Sequence, residues 1–180
     1  MEKKITIAGF GGQGVMVIGQ LLGYASCAAG KNALFLPKYG PEQRGGTASC
    51  TVTISDDEIG APVSKQVDVL IALNQPSLDK FVDTVKPGGM ILINSTLCNS
   101  NIDRKDIRLC AIDSDNIAYK IGSPKVANIV VIGAYIKVVG ILTEEEMLEM
   151  IKFKLGKKVE FLEMNKQAFK AGMEQVVALS

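Results

Sequence analysis

Apolar positions along the chain fall into short runs of strand length and longer stripes at helical spacing, and the two kinds alternate. Residues 4–8 form a short apolar run that ends in glycines. Residues 15–29 then carry apolar and small side chains at helical intervals until Gly30 stops them. A second short run at 32–36, closed by Pro37, completes a strand–helix–strand unit of ordinary length, which predicts a parallel sheet. From 48 to 55, Cys50, Val52 and Ile54 alternate with Thr51, Thr53 and Ser55, the period of a half-exposed strand, and Asp56-Asp57 turns the chain. Residues 67–73 are nearly all apolar, as in a strand covered on both faces, and Asn74-Gln75-Pro76-Ser77 leads into a short helix through Val85. Lys86-Pro87-Gly88-Gly89 breaks it, strands follow at 90–94 and 107–112, and a helix is expected from about 115 to 121.

The stretch 125–140 is apolar nearly all round and predicts a central buried helix. Thr143 and Glu146 are spaced as a capping box that opens a helix over 144–155, ended by Gly156. A last amphipathic helix is expected over 159–179, weakly interrupted at Gly172. No repeat, linker or low-complexity tract divides the pattern, so residues 1–180 read as one α/β domain, Rossmann-like, with a mainly parallel sheet flanked by helices.

Composition removes several functional classes. The 20 basic and 19 acidic residues nearly cancel, which argues against nucleic acid or an anionic membrane as partner. The start lacks the apolar run of a signal peptide, and Lys137 interrupts the most apolar later stretch, so a cytoplasmic protein is expected. Cys27, Cys50, Cys98 and Cys110 are scattered, with no CxxC pair and no histidine anywhere, so no metal site is expected. The lack of histidine also removes the usual base of a Ser or Cys nucleophile, and with it a self-contained hydrolase. Asp56, Asp57 and Glu58 read as solvated surface, and Lys152, Lys154, Lys157 and Lys158 as complements to a helix end. Ser95-Thr96 reads equally as ligand contact or simple turn.

Two glycine-rich segments carry the candidate chemistry. Gly9, Gly11 and Gly14 satisfy GxGxxG between a predicted strand and a predicted helix, where a phosphate can approach backbone lacking Cβ atoms and meet helix N–H groups. Nicotinamide dinucleotide binding also needs an acidic residue after the second strand, and none occurs between Glu2 and Glu42; Lys38 there is the only hint of a phosphorylated ribose. A tight packing turn, a contact with another subunit and a different phosphate-bearing ligand all stay open. The second segment, 38–47, leaves the second strand on the same sheet edge. Its Arg44, followed by Gly45 and Gly46, suits either an anion or an ion pair with Glu42 or with an acid of a partner.

Taken together, Gly9-Phe10-Gly11-Gly12-Gln13-Gly14-Val15 and the segment from Tyr39-Gly40-Pro41-Glu42-Gln43-Arg44-Gly45-Gly46 to Pro62 resemble the gamma subunit of 2-oxoacid:ferredoxin oxidoreductases. The likeness is nearest to the separate gamma chains of the 2-oxoglutarate and 2-oxoisovalerate enzymes and extends over the whole chain. It implies a share in the coenzyme A-dependent oxidative decarboxylation of a 2-oxoacid to acyl-CoA and carbon dioxide, with reduction of ferredoxin. It also implies that thiamine diphosphate sits on alpha and beta subunits, and iron–sulfur clusters on beta or a delta subunit, with no cofactor or catalytic residue assigned to this chain. Gly9, Gly11, Gly12, Gln13, Gly14, Arg44, Gly45 and Gly46 are then the candidate contacts for coenzyme A or for a partner subunit. The small subunit of indolepyruvate:ferredoxin oxidoreductases has a comparable turn and Arg-Gly-Gly loop and is the nearest alternative. A stand-alone nucleotide- or coenzyme A-binding module is another. An interaction subunit would leave apolar surface uncovered when isolated, with which a homodimer is compatible.

Overall fold

The computed structural model describes residues 1–39, 46–60 and 64–180. Its elements are β1 (Glu2–Phe10), α1 (Val15–Ala28), β2 (Asn32–Tyr39), β3 (Thr47–Ser55), β4 (Val67–Ala72), α2 (Gln75–Phe81) and β5 (Val85–Asn94). They continue with β6 (Arg108–Ile112), α3 (Ser114–Ile121), α4 (Ala127–Val139), α5 (Glu144–Leu155), α6 (Val159–Gln175) and β7 (Val177–Ala178). Among the described residues the strands form one sheet in the order β2-β3-β1-β4-β5-β6-β7. β1, β4, β5 and β6 pair in parallel; β3 is antiparallel to both of its neighbours, and β7 is antiparallel to β6.

The expected β1–α1–β2 unit is present, but β2 does not pair with β1. β3 lies between them, so β2 runs parallel to β1 one strand away. Alternation fixes the way β3 faces: it turns Ala48, Cys50, Val52 and Ile54 into the same core that β1 enters with Ile5 and Ile7. The opposite face of this half is polar, with the Thr6 and Thr51 hydroxyls 3.3 Å apart. β2 also runs past Pro37, where the sequence suggests its end. It is an edge strand, and there a residue with no N–H to donate is tolerated.

Further boundaries differ from expectation. Residues 86–89 belong to β5, which pairs with β4 across a register shift between Val67 and Val69 that absorbs the Pro-Gly-Gly sequence. The last helix stops at Gln175, because residues 177–178 gain more from covering the free edge of β6 than from another helical turn. The helix expected through Val85 is α-helical only to Phe81 and continues as a 3-10 turn over Val82–Thr84, with Val85 already in β5; the other helices lie where the pattern puts them. Ile129 to Ile136 of α4 are buried without interruption, and the capping box at Thr143 is formed in both directions.

Helices cover the two faces unequally. α1, α3, α4, α5 and α6 contribute to one large core, which includes Leu22, Ile132, Tyr135 and Phe169. A smaller core on the other face joins Leu70, Ile91 and Ile93 to Leu78 of α2 and to Cys98. Right-handed crossovers require this division: the chain leaves β1 toward β2 over one face and leaves β4 toward β5 over the other. Between β1 and β4 the connections therefore diverge, and a crevice opens beyond the carboxyl ends of those two strands.

Candidate functional site

The glycine turn stands at that crevice, and its residues divide into braces and wall. Gly9, still within β1, is needed for space: a Cβ there would lie 2.8 Å from Gln13 Oε1 and 3.1 Å from Leu73 Cβ. Gly12 and Gly14 have φ of 96° and 82°, the left-handed region in which a side chain is strained. Gly14 is the N-cap of α1, and no side chain among the described residues caps it, so the first N–H groups of α1 face the crevice. Gln13 is the central brace. Its Oε1 accepts from the Phe10 amide at 2.7 Å and from Asn74 Nδ2 at 2.8 Å, while its Nε2 donates to the Leu73 carbonyl at 3.2 Å. Asn74 in turn caps α2 by accepting from the Ser77 amide at 3.0 Å. The turn is thereby fastened to the ends of both diverging strands.

The second glycine-rich segment meets the first. The Gly11 amide donates to the Gly46 carbonyl at 3.1 Å, so the segment entering β3 lies against the turn leaving β1. Arg44 and Gly45 lie outside the described residues. Tyr39, at the end of β2, is largely exposed.

A cavity of about 160 Å3 occupies the crevice, with Gly12, Gln13 and Gly14 on one side. Its other walls are Leu73, Asn94, Ser114, Asp115, Lys125 and Asn128, with Pro124, Ala127 and Val131. Three helical N-termini converge on it: that of α1, that of α3 through Ser114 and Asp115, and the turn at Pro124–Val126 that starts α4. Their aligned peptide dipoles make the space electropositive, and Lys125 adds a full charge. Asp115 offsets part of it and accepts from Asn94 Nδ2 at 3.0 Å. Asn128 lies over Gly14, where an added Cβ would approach its Nδ2 to 2.6 Å, and its Oδ1 is buried without a hydrogen-bond partner among the described residues. The room and polarity suit a group of phosphate size. Among the described residues no cluster of three or more Cys, Asp or Glu is placed to hold a metal ion.

Of the residues singled out by sequence, Gly12, Gln13 and Gly14 line this cavity, Gly9 and Gly11 support them, and Gly46 joins the two segments. Asn94, Asp115, Lys125 and Asn128 were not singled out. Asn74 and Asn94 did carry a signal, since each is an amide directly after a buried apolar run, at the edge where such sheets bind ligands. Ser95 and Thr96 form a turn, in which the Thr96 amide donates to Asn94 Oδ1 at 3.2 Å.

The sequence profile of a family described as pyruvate ferredoxin/flavodoxin oxidoreductase matches residues 4–175. The ketoisovalerate oxidoreductase subunit VorA of Methanothermobacter thermautotrophicus is 43% identical over 175 residues, which are 96% of this chain and 36% of that protein. The chain thus spans about a third of the length of VorA. The 2-oxoglutarate synthase subunit KorC of Methanocaldococcus jannaschii is 37% identical over 97% of this chain and 94% of its own. In structure, the gamma subunit of a keto/oxoacid ferredoxin oxidoreductase from Geobacter sulfurreducens superimposes with a TM-score of 0.84 at 32% identity. That match covers 97% of this chain and 96% of the other.

Proposed function

Because the chain belongs to the pyruvate ferredoxin/flavodoxin oxidoreductase family, we propose that it serves as the gamma-type subunit of a coenzyme A-dependent 2-oxoacid:ferredoxin oxidoreductase. The substrate of the whole complex is then 2-oxoglutarate or a branched-chain 2-oxoacid. Correspondence from end to end with a separate subunit of 2-oxoglutarate synthase is the observation that carries this reading. Alpha and beta subunits, with or without a delta subunit, hold thiamine diphosphate and the iron–sulfur clusters, and ferredoxin is reduced through them. The complex works in the cytoplasm, in keeping with four cysteines of which none forms a disulfide.

This chain's part is to receive an anionic group of coenzyme A in the crevice at the carboxyl edge. Coenzyme A, when bound, supplies the thiol that accepts the acyl group. Gly12 and Gly14 let the phosphate approach the backbone, and the N-termini of α1 and α3 and the Lys125 ammonium attract it, with Arg44, Gly45 and Gly46 as further candidate contacts. Gly9, Gly11 and Gln13 hold the turn in shape.

The test is purification of the tagged chain from its own cells, with identification of bound proteins and assay of the eluate for coenzyme A-dependent reduction of a ferredoxin substitute by several 2-oxoacids. Recovery of a thiamine diphosphate-dependent pair with that activity supports the proposal and names the substrate. A chain without partners or activity overturns it. In the active complex, Lys125→Ala should raise KM for coenzyme A about three- to tenfold with kcat little changed, as for loss of one phosphate-facing charge.

A further inference from the structure

The far end of α1 from the glycine turn carries a second surface. A groove of about 570 Å3 runs between the last turn of α1 and the outer side of α5. Ala25, Ala28 and Ala29 form its floor, and Glu149, Met150 and Phe153 its rim. Phe153 is 77% exposed, a large apolar side chain standing beside an apolar trough. The charges around it are ordered. α5 starts with Glu144, Glu145 and Glu146, continues to Glu149, then turns basic at Lys152 and Lys154 and is followed by Lys157 and Lys158. Glu146 is engaged in the capping box and Lys154 stacks on Tyr24 at 3.6 Å, but Glu149 and Lys152 have no ion pair among the described residues.

A helix that is acidic in its first half and basic in its second is matched in charge by the same helix reversed. We propose that this face is self-complementary and that two copies of the chain associate through it as an antiparallel, two-fold α5 pair. With a rise of about 1.5 Å per residue, an axis passing between positions 150 and 151 sets Glu149 of each copy opposite Lys152 of the other. Met150 then lies at the axis, and each Phe153 is carried to the alanine floor of the second copy, removing both apolar features from water together. α1 separates this face from the carboxyl-edge crevice by its full length, about 20 Å at that rise, so pairing leaves the crevice open.

Charge exchange tests the pairing directly. Sedimentation equilibrium of the purified 180-residue chain should show a monomer–dimer equilibrium that weakens with salt. Glu149→Lys and Lys152→Glu, each alone, should weaken the dimer about tenfold or more, whereas an equimolar mixture of the two variants should pair about as tightly as the unmodified chain. Phe153→Ser should weaken it comparably while leaving the thermal midpoint of the monomer unchanged, since the ring is exposed there. A chain that stays monomeric at all concentrations overturns the proposal. So does a dimer indifferent to the charge reversals, or a photo-crosslinker at position 153 that attaches only to a different subunit.

Discussion

Gly133 and Gly172 are the points at which α4 and α6 come together backbone to backbone. A Cβ on Gly133 would overlap the Phe169 carbonyl oxygen, and one on Gly172 that of Val130, so neither neighbour can yield without separating the helices. Gly172→Ala should therefore destabilise the fold by about 1–3 kcal/mol, although alanine is the better helix former. A urea titration reads the effect, and an unchanged or raised midpoint would refute it. Asp68 is a second residue whose worth comes from its neighbours. Burial raises its pKa, but the Lys86 ion pair, the Lys4 amide at 2.8 Å and the charges of Lys86 and Lys3 outweigh that and leave it lowered. A folded pKa below the unfolded value of about 3.9 means that the stabilisation is complete above that pH and disappears as pH falls through the folded value. Asp56 and Asp106 are also held low, by Lys31 with the amino terminus and by Arg104, so acid lability has several sources. The difference between the chain and its Asp68→Asn variant isolates one of them: it should be constant from pH 5 to 7 and shrink below about pH 4. Neither residue reveals its role in sequence. Periodicity marks Gly172 as a weakness in a helix and Asp68 as an acid in a strand, because the partners that give each its meaning lie far along the chain.

Elements whose signals are local are the ones the sequence makes legible. The capping box needs only Thr143 and Glu146. In the fold the Glu146 amide donates to Thr143 Oγ1 at 3.2 Å, and Glu146 Oε2 accepts from the Thr143 amide at 2.7 Å. Thr143→Ala should cost about 1 kcal/mol, seen as a lower thermal midpoint, and Thr143→Ser should restore most of it. The buried run of α4 and the covered strands β4 and β6 are legible for the same reason. What could not be read locally was pairing. Nothing in residues 47–55 says that β3 inserts between β1 and β2, and nothing in Val177-Ala178 says that it covers β6, since both depend on pairing with strands far along the chain. The candidate site divides likewise. Its glycine turn was visible as a contiguous motif, while Asn94, Asp115, Lys125 and Asn128 become neighbours only when three separate connections end at one crevice.

At the scale of the whole molecule, the unequal cover of the two sheet faces bears on how the fold opens. The core shared by α1 and α3 to α6 is extensive, whereas the opposite face rests mainly on α2 and the connection that includes Cys98. The cysteines report on both. Cys27 is exposed on α1, Cys50 and Cys110 lie in the larger core, and Cys98 lies in the smaller. Burial pushes the Cys50 thiol up to about 12, against a small opposing effect of the Gly19 backbone; burial does the same to Cys98, opposed by the Asn94 backbone. At pH 8 only about one part in ten thousand of such a thiol is ionised, so neither reacts until the structure around it opens. Labelling the native chain with an aromatic disulfide should give one rapid equivalent, assigned by peptide mass to Cys27, and three slow ones. Because the smaller core buries less apolar surface, its local opening should cost less than global unfolding. Cys98 should then be labelled ahead of Cys50 and Cys110, and denaturant well below the unfolding midpoint should leave that order intact. Simultaneous release of all three would mean that the two faces open as one unit, and rapid labelling of Cys50 would place the loose region on the side of the glycine turn instead.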